Sequence, residues 1–352
     1  MLQICGITKH QYYYESKGGK QGVKASEHTL QIDEHGQIEE VANERVVDQI
    51  AKTKADPETD YGYRAMTADL MLKGYIINHK KVYRLMKDYH LLRSKYQIKK
   101  RKYVRYRRVH PEAPLRILEM DIKFQWVTQH NRYAFILTIL DTFTRKTLAW
   151  TVAYSIKQRQ VQSLWSKVIV EHLQPAGLLK DGIVLEVRND NDTRFAAKAV
   201  QQYFKDNSID QVFTHPYTPQ ENAHIESFHA ILSRSLERTT FATDTDLETH
   251  LKRFYKVYNQ IRVHGSLDHL PPNLFSRLWE MGLIDRTEQK FNRVKFKLKI
   301  PHYLLLGNGN LREVSSLPAQ LAGTLNSIYK EVNGAIALQQ PLVQRHPSVV
   351  SS

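Results

Sequence analysis

The segment from Tyr133 to Phe143 constrains the fold most strongly, because most of its side chains are apolar. Such a run is typical of a central strand that is buried on both faces. Two further strand-like segments, Leu115 to Val127 and Lys146 to Tyr154, lie close enough along the chain to form a meander with it. The sequence therefore predicts three sequential strands within one sheet.

Helical and strand patterns alternate after this meander. Pro219 can open a helix at its first position, where its missing N–H costs nothing. We therefore predict an α/β fold, a five-stranded mixed sheet flanked by helices. The segments that complete it are helix Gln158 to Leu173, strand Gly182 to Val187, helix Ala196 to Asn207, strand Asp210 to His215, a helix from Pro219 and a longer helix from Asp246 to Arg262.

The chain is strongly basic, with 51 Lys and Arg residues against 36 Asp and Glu residues and a formal net charge of +15. Residues 61–115 carry 15 basic and 3 acidic side chains, so most of the excess lies there. This distribution is typical of proteins with phosphate-rich partners. The single cysteine, Cys5, excludes an internal disulfide and a cysteine-rich zinc site. Because no signal peptide or apolar run of about 18 residues is present, we expect an intracellular protein.

A helix-turn-helix pattern precedes the predicted sheet. Helical spacing of apolar residues begins near Val41, and Gly74 interrupts it. Asn78 can cap a further helix, His79 to Tyr89. We predict a DNA-binding helix, with an ordinary helical hairpin and a solvated basic face as the alternative. The outward basic residues assigned to DNA contact are Lys80, Lys81, Arg84 and Lys87.

Residues 93–108 contain nine Lys or Arg residues, no acids and three interleaved tyrosines. Charge runs of this kind are usually solvated or disordered. This one lies between two predicted folded units, where it would follow a phosphate backbone and position the protein rather than read a base sequence. The residues assigned to this contact are Lys99, Lys100, Arg101, Lys102, Arg105, Arg107 and Arg108.

Three acidic residues occupy positions where the predicted elements can bring them together. Asp121 lies in the first strand of the sheet, Asp190 follows the fourth, and Glu226 lies on the helix after the fifth. The two strand residues converge if their strands are neighbours. Three carboxylates without a nearby cysteine favour magnesium or manganese. A lone acid at a strand end is usually a cap or a solvated residue, and the competing acids are Glu119, Asp141 and Asp192.

The sequence around these acids resembles the retroviral-integrase superfamily. Asn189 to Phe195 is similar to its Ser-Asp-Asn-Gly-Thr-x-Phe block, and Tyr217 to Phe228 is similar to the block that carries its glutamate. Asp190 and Glu226 are separated by 35 residues, the spacing of the integrase-type Asp-Asp-Glu group. The segments Leu140 to Lys146 and Tyr258 to Pro272 resemble two further blocks of the family.

Upstream segments resemble one group of this superfamily, the orfB-type transposases of bacterial insertion sequences. Cys5 to Tyr14 is similar to the start of the orfB product, and Asn78 to Met86 is similar to its helical DNA-binding unit. The resemblance covers residues 1–16 and 45–277. It implies a ribonuclease-H-like fold with strand cleavage and strand transfer at the ends of a mobile element. It also implies two Mg²⁺ or Mn²⁺ ions held by Asp121, Asp190 and Glu226.

The resemblance also sets expectations about partners. It implies double-stranded DNA at the element termini and at the target, a homo-oligomer on paired ends, an upstream orfA-type product, and the nucleoid of a bacterial cytoplasm. Two alternatives stay open: a metal-dependent nuclease of the same fold without strand transfer, and an inactive relative that only binds element ends. Joining of DNA products separates the transposase from the nuclease, and the intact acid triple argues against the inactive relative.

Two positions depart from the family pattern. The glycine that follows Asp-Asn in the family is Asp192 here, which adds a negative charge beside the acids and removes a permissive turn residue. A basic residue often lies seven positions after the glutamate, where this chain has Ser233 followed by Arg234. Arg234 is rotated by about 100° around the helix, and it can supply the basic contact instead.

Histidines near the acids are assigned DNA-contact or structural roles, because metal ions replace a histidine base in two-metal chemistry. His224 is included in this group. The full set of predicted DNA contacts in this part of the chain is Asn222, His229, Arg234, Arg262 and His264.

The predicted organisation has six parts. Arg293 to Ile300 alternates apolar and basic residues, which predicts a strand that contacts DNA or an edge strand protected by lysines. The parts are a partial helical motif and linker (1–40), a helix-turn-helix domain (41–92), a basic linker (93–114), the catalytic core (115–277), an extension with basic strands (278–340) and a disordered tail (341–352).

Overall fold

The computed structural model describes residues 8, 12–13, 25–33, 35–93, 109, 111–179, 183–215, 219–289 and 293–305. Its strands are β1 His28–Ile32, β2 Ile38–Ala42, β3 Tyr75–Ile76, β4 Ile117–Val127, β5 Arg132–Asp141, β6 Thr147–Ala153, β7 Leu185–Asn189, β8 Ile209–Phe213, β9 Ile284–Gln289 and β10 Arg293–Leu298. Its helices are α1 Asn43–Ala55, α2 Tyr63–Leu72, α3 His79–Asp88, α4 Gln158–Val168, α5 Lys198–Asp206, α6 Ala223–Leu236, α7 Asp244–Gln260 and α8 Pro272–Glu280.

The central sheet has five strands in the order β6-β5-β4-β7-β8. Strands β4, β5 and β6 form an antiparallel meander, and β7 and β8 continue the sheet parallel to β4. This confirms the predicted five-stranded mixed sheet. The helix predicted to run to Leu173 ends at Val168 and continues as one π-helical turn, Ile169–Leu173.

Helices cover both faces of this sheet. On one face, Met120 of β4 packs with Trp165 of α4 and Phe204 of α5, all fully buried. On the other face, Ile136 of β5 packs with Phe228 of α6, which belongs to a cluster shared with α7. Successive side chains of a strand point to opposite faces, so the apolar run predicted as a central strand supplies both cores.

The N-terminal unit, residues 25–93, contains the predicted helices. Asn78 caps α3, because its side-chain oxygen accepts hydrogen bonds from the backbone N–H groups of Lys80 and Lys81 at 3.1 and 3.0 Å. Gly74 has φ +92°, a left-handed conformation that suits glycine, between α2 and β3. The inward positions of α3 are buried as predicted: Val82, Leu85 and Met86.

The linker predicted over residues 17–40 is wrong for its C-terminal part. Strands β1 and β2 lie there, and they form a three-stranded antiparallel sheet with β3 in the order β2-β1-β3. Burial in β1 does not follow the two-residue period of a strand: Thr29 and Ile32, which point to opposite faces, are buried, whereas Leu30 is 45% exposed. Such short, half-polar strands give a weak sequence pattern. The helical motif predicted around Cys5 lies almost entirely outside the described residues.

The C-terminal strand predicted at Arg293 is present as β10 and pairs with β9, which the sequence reading missed. Its apolar residue Phe296 is buried against Phe143 and Phe275, whereas Lys295 and Lys297 are exposed. The hairpin of β9 and β10 therefore packs on the core through its apolar face and leaves its basic face exposed. No helix in the described ranges is long and apolar enough to span a membrane.

The N-terminal unit is docked against the core by buried and charged contacts. The Tyr61 hydroxyl accepts a hydrogen bond from the backbone N–H of Val263 at 3.2 Å, and Val263 is buried within the hydrophobic cluster of the N-terminal unit. Arg253 of α7 forms an ion pair with Asp56 at 2.6 Å. The two units therefore share a packed junction.

The cap of α3 gives a direct test of local stability. Asn78→Ala removes the acceptor for two N–H groups and should lower the free energy of unfolding by about 1 kcal/mol. Asn78→Asp keeps an acceptor and serves as the matched control. Thermal or urea unfolding of the three proteins measures the effect, and an Ala variant as stable as the wild type would contradict the assigned cap.

Candidate active site

The parallel pairing of β4 with β7 brings two of the predicted acids together. In this ladder Glu119 lies opposite Arg188, so continuing the register by two residues sets Asp121 level with Asp190. Asp190 follows the last residue of β7, whereas Asp121 lies in the middle of β4. Glu226 lies in the first turn of α6, which packs over β4. The two strands that had to be neighbours are neighbours.

The three carboxylates lie within electrostatic reach of one another. Burial raises the pKa of Asp190, and the negative charges of Asp121 and Asp192 raise it further. Burial likewise raises the pKa of Glu226, with added repulsion from Asp121 and Glu119. Asp121 thus repels both of the other predicted ligands. Clustered carboxylates of this kind cost free energy unless protons or a cation compensate their charge.

The chemistry of the three carboxylates fits a hard divalent ion, but the present positions of the side chains do not. Carboxylate oxygens are the ligands that Mg²⁺ and Mn²⁺ prefer. Within the described ranges, however, no three His, Cys, Asp or Glu side chains are positioned to hold a metal ion as they stand. The carboxylate of Asp121 instead lies 3.3 Å from Nδ1 of His229, on the helix that carries Glu226.

Glu119, which competed with the chosen acids, has a positioning role. Its side chain is fully buried, and Oε2 accepts a hydrogen bond from the backbone N–H of Ile225 at 2.6 Å. Burial raises the pKa of Glu119 to about 7, and the Ile225 N–H and the Arg145 guanidinium oppose that shift. Nδ1 of His224 lies 3.3 Å from the other oxygen. Glu119 therefore ties β4 to the first turn of α6, next to Glu226.

Asp192 is compensated by its neighbour. Its Oδ1 accepts hydrogen bonds from the backbone N–H and Nε of Arg194 at 2.9 and 2.8 Å, and a second guanidinium nitrogen pairs with Oδ2. Arg194 lowers the pKa of Asp192. The backbone N–H of Asp192 donates to Oδ1 of Asp190 at 3.2 Å. Asp192, which replaces the glycine of the family pattern, thus keeps a turn whose backbone N–H binds Asp190, and Arg194 balances its added negative charge.

Asp141 serves a turn rather than the candidate site. Its fully buried carboxylate accepts backbone hydrogen bonds from Leu115, Phe143 and Thr144 at 3.1 to 3.2 Å. The Thr144 hydroxyl donates a further bond. Burial raises the pKa of Asp141, and these donors oppose the shift. The carboxylate joins the start of β4 to the loop after β5.

Three of the residues predicted to contact DNA lie in the interior of the protein instead. Asn222, His229 and His264 are only 6%, 8% and 9% exposed, so their side chains lie below the surface that DNA could reach. Burial, with repulsion from Arg262 and Arg145, lowers the pKa of His264 to about 3 and keeps its ring neutral. The helical periodicity of the sequence could not show that neighbouring elements cover these positions.

The basic residues on α3 divide into two pairs. Lys80 and Lys87 are exposed, as predicted for DNA contact. Lys81 and Arg84 instead donate hydrogen bonds to the backbone carbonyls of His28 and Ser26, at the strand β1 that the sequence reading missed. These two side chains therefore hold the small sheet against α3. Residues Lys99 to Arg108, assigned to the basic linker, lie outside the described residues.

The two predicted contacts after Glu226 differ in exposure. Arg234 is exposed on α6, and Ser233 beside it is half-buried. The Arg262 guanidinium is half-buried and donates a hydrogen bond to the backbone carbonyl of Glu58. Burial lowers the pKa of Arg262. Arg262 therefore connects the core to the N-terminal unit.

Family models match most of this architecture. Two models described as "Integrase core domain" match residues 111–219 and 207–272, and one described as "HTH-like domain" matches residues 40–102. The three matches coincide with the five-stranded sheet, its following helices and the N-terminal unit.

Curated relatives come from bacterial insertion elements. The chain is 27% identical over 238 residues to an uncharacterized 39.2 kDa protein of insertion element IS476 from Xanthomonas euvesicatoria, a match that spans 67% of this chain and 64% of that protein. It is 24% identical to the putative transposase InsK of insertion sequence element IS150 from Escherichia coli, over 60% of this chain and 76% of the relative.

Similar solved structures include integrase and transposase catalytic domains. The catalytic core domain of HTLV-2 integrase, in complex with magnesium, covers 44% of this chain and 92% of its own, with 16% identity and a TM-score of 0.33. The catalytic domain of Mos1 mariner transposase covers 40% of this chain and 70% of its own, with 13% identity and a TM-score of 0.35.

The buried His264 predicts a pH dependence of stability. Its folded-state pKa of about 3 lies below the ordinary value of 6.5, so it binds a proton in the unfolded chain before it does so in the folded one. Its contribution to stability is complete above pH 6.5 and falls as the pH decreases toward 3, by up to about 1.4 kcal/mol per pH unit.

His264→Gln removes this titration. The difference in thermal midpoint between the wild type and the variant should shrink as the pH is lowered from 7 to 4, and the slope of that difference is the readout. A difference that stays constant across the range would show that His264 titrates normally.

Proposed function

Because the chain carries an integrase core domain behind an HTH-like domain, and is homologous to transposases of bacterial insertion elements, we propose that it is a DNA transposase. The proposed reaction is metal-dependent strand cleavage and strand transfer at the ends of a mobile element. The observation that carries the proposal is the neighbouring placement of Asp121, Asp190 and Glu226 by the β4–β7 pairing and the first turn of α6.

Asp121, Asp190 and Glu226 would hold the divalent ions, Mg²⁺ or Mn²⁺, two per site. When bound, such ions activate a water or sugar hydroxyl and stabilise the leaving oxygen of a phosphoryl transfer. The chain's own contribution is to orient these carboxylates. The backbone N–H of Asp192 donates a hydrogen bond to Asp190, and Nδ1 of His229 lies 3.3 Å from the carboxylate of Asp121.

Repulsion among the acids supports a cation-binding role. The pKa values of Asp190 and Glu226 are raised partly by the charge of Asp121, so removing protons from the group becomes less favourable as each carboxylate ionises. A bound cation would reverse that repulsion and favour all three ionised forms. Metal binding and deprotonation of the site should therefore be coupled.

DNA would approach this site along basic surfaces. The exposed Lys80 and Lys87 on α3, together with the basic residues after Arg93, would contact the phosphates of double-stranded DNA at the element termini. Target DNA is the second substrate in this proposal. Pairing of two element ends requires at least two copies of the chain, and an upstream orfA-type product is a further proposed partner.

Substitution of one predicted ligand tests the site. Asp190→Asn keeps the shape of the side chain but removes its charge, and it should reduce cleavage of element-end DNA by about 100-fold or more, because metal stabilisation of the reacting oxygens contributes several kcal/mol. Asp210→Asn, at an exposed acid of β8 in the same sheet, is the matched control and should cleave normally.

Binding and joining complete the test. Duplex binding by the Asp190→Asn variant should persist, since phosphate contacts lie elsewhere, and chelation of divalent ions should stop cleavage by the wild type. Undiminished cleavage by the variant would contradict the assignment of Asp190 to the metal site. Cleavage by the wild type without any joined product would identify a nuclease of the same fold rather than a transposase.

A further inference from the structure

Four arginines from both structural units line one cleft at the junction between them. Arg93 comes from the end of the N-terminal unit, Arg234 from α6, Arg238 from the turn after α6, and Arg262 from the segment after α7. We propose that this arginine cleft binds a backbone phosphate of DNA and guides the strand toward the acids. The inference rests on the proposed function for the identity of the DNA but not for the existence of the anion site.

The acid at the cleft is already engaged. Glu58 is 3% exposed, and its carboxylate accepts a hydrogen bond from the Ser235 hydroxyl and lies 3.9 Å from a nitrogen of Arg253. Its backbone carbonyl accepts the bond from Arg262. Glu58 is the one carboxylate among the residues that line the cleft, and it is already engaged by Ser235 and Arg253.

The remaining arginines are unequally compensated. Arg93 pairs with Asp60 at 3.0 Å, and Asp60 also pairs with Lys54. Neither Arg234 nor Arg238, both exposed, has a carboxylate within 4 Å in the part of the chain that the structure describes. Arg234 also repels Arg262, whose pKa burial already lowers. The cleft thus holds an excess of positive charge that an anion would relieve.

A phosphate suits this arrangement better than a carboxylate ligand from another protein. Guanidinium groups present fixed pairs of N–H donors that match phosphate oxygens, and several can surround one phosphate. Arg93 is the first residue of the basic segment that continues to Arg108, so the positive charge extends from the cleft along the chain. This continuity favours a polymer of phosphates over a single small anion.

The position of the cleft along α6 relates it to the acids. Arg234 and Arg238 follow Glu226 by 8 and 12 positions. At about 1.5 Å per residue, Arg234 lies about 12 Å farther along α6 than Glu226, and Arg238 follows in the turn just beyond the end of the helix. That distance corresponds to a few nucleotides of a strand, at about 3.4 Å each. A duplex held at the cleft would therefore reach the acids within one helical turn.

The paired substitution of Arg234→Ala with Arg238→Ala tests the proposal. Binding of a duplex that carries an element end, measured without divalent ions, should weaken by about tenfold at moderate salt. The slope of log affinity against log salt should fall by about 1 for each lost phosphate contact. Arg159→Ala, at an exposed arginine of α4 on the opposite face of the sheet, is the matched control and should change neither quantity.

A second pair of variants examines the chemistry of the contact. Arg234→Lys with Arg238→Lys keeps the charge but loses the paired donors, so the salt slope should stay near that of the wild type while the affinity falls only in part. Both arginines are exposed, and thermal unfolding should show that the variants fold as the wild type does. Unchanged affinity and slope in the folded Ala variant would overturn the proposal.

A free anion is the alternative occupant. Inorganic phosphate is compared with chloride at matched ionic strength by thermal unfolding. Stabilisation by phosphate that the Ala variant loses, combined with duplex binding that the Ala variant keeps, would assign the cleft to a small anion and overturn the DNA role. Since these measurements involve no cleavage, a failure of the Asp190→Asn test would leave them readable on their own.

Discussion

Parallel pairing between β4 and β7 is the interaction on which the candidate site depends. The two strands are far apart in the sequence, and the short ladder that joins them covers only Ile117 to Glu119 on the β4 side. Its register decides which residue of β4 lies beside Asp190. A shift by one residue would turn Asp121 to the other face of the sheet and separate the acids. The packing that holds this register therefore fixes the positions of the acids as well as the stability of the sheet.

The buried carboxylate of Glu119 places α6 relative to that ladder. It lies on the same face of β4 as Asp121, two residues earlier, and it accepts a backbone N–H from the first turn of the helix. A carboxylate in such a place loses hydration, which raises its pKa, and the hydrogen bond recovers part of that cost. The position of Glu226 thus follows from a bond made by a neighbour rather than from its own contacts.

Much of the fold was predictable because the responsible signals are local. The continuous apolar run of β5 indicates burial on both faces, and the amphipathic helices specify their buried faces by periodicity. Asn78 caps α3 through atoms within three residues of it, so its role could be assigned before any tertiary contact was known. Strands β1 and β2 escaped prediction because each is only five residues long and carries few apolar residues.

The sequence by itself determined the order of the strands and helices around the central sheet, the basic character of residues 61–115 and the choice of the three acids, since each depends on residue type and spacing. Only the tertiary structure decided which polar residues stay accessible. His264 follows a helix in a polar sequence and is nevertheless buried and neutral. The arginine cleft likewise joins residues from about position 93 to position 262. Burial and charge compensation depend on chain segments that meet only after folding, so no local pattern could reveal them.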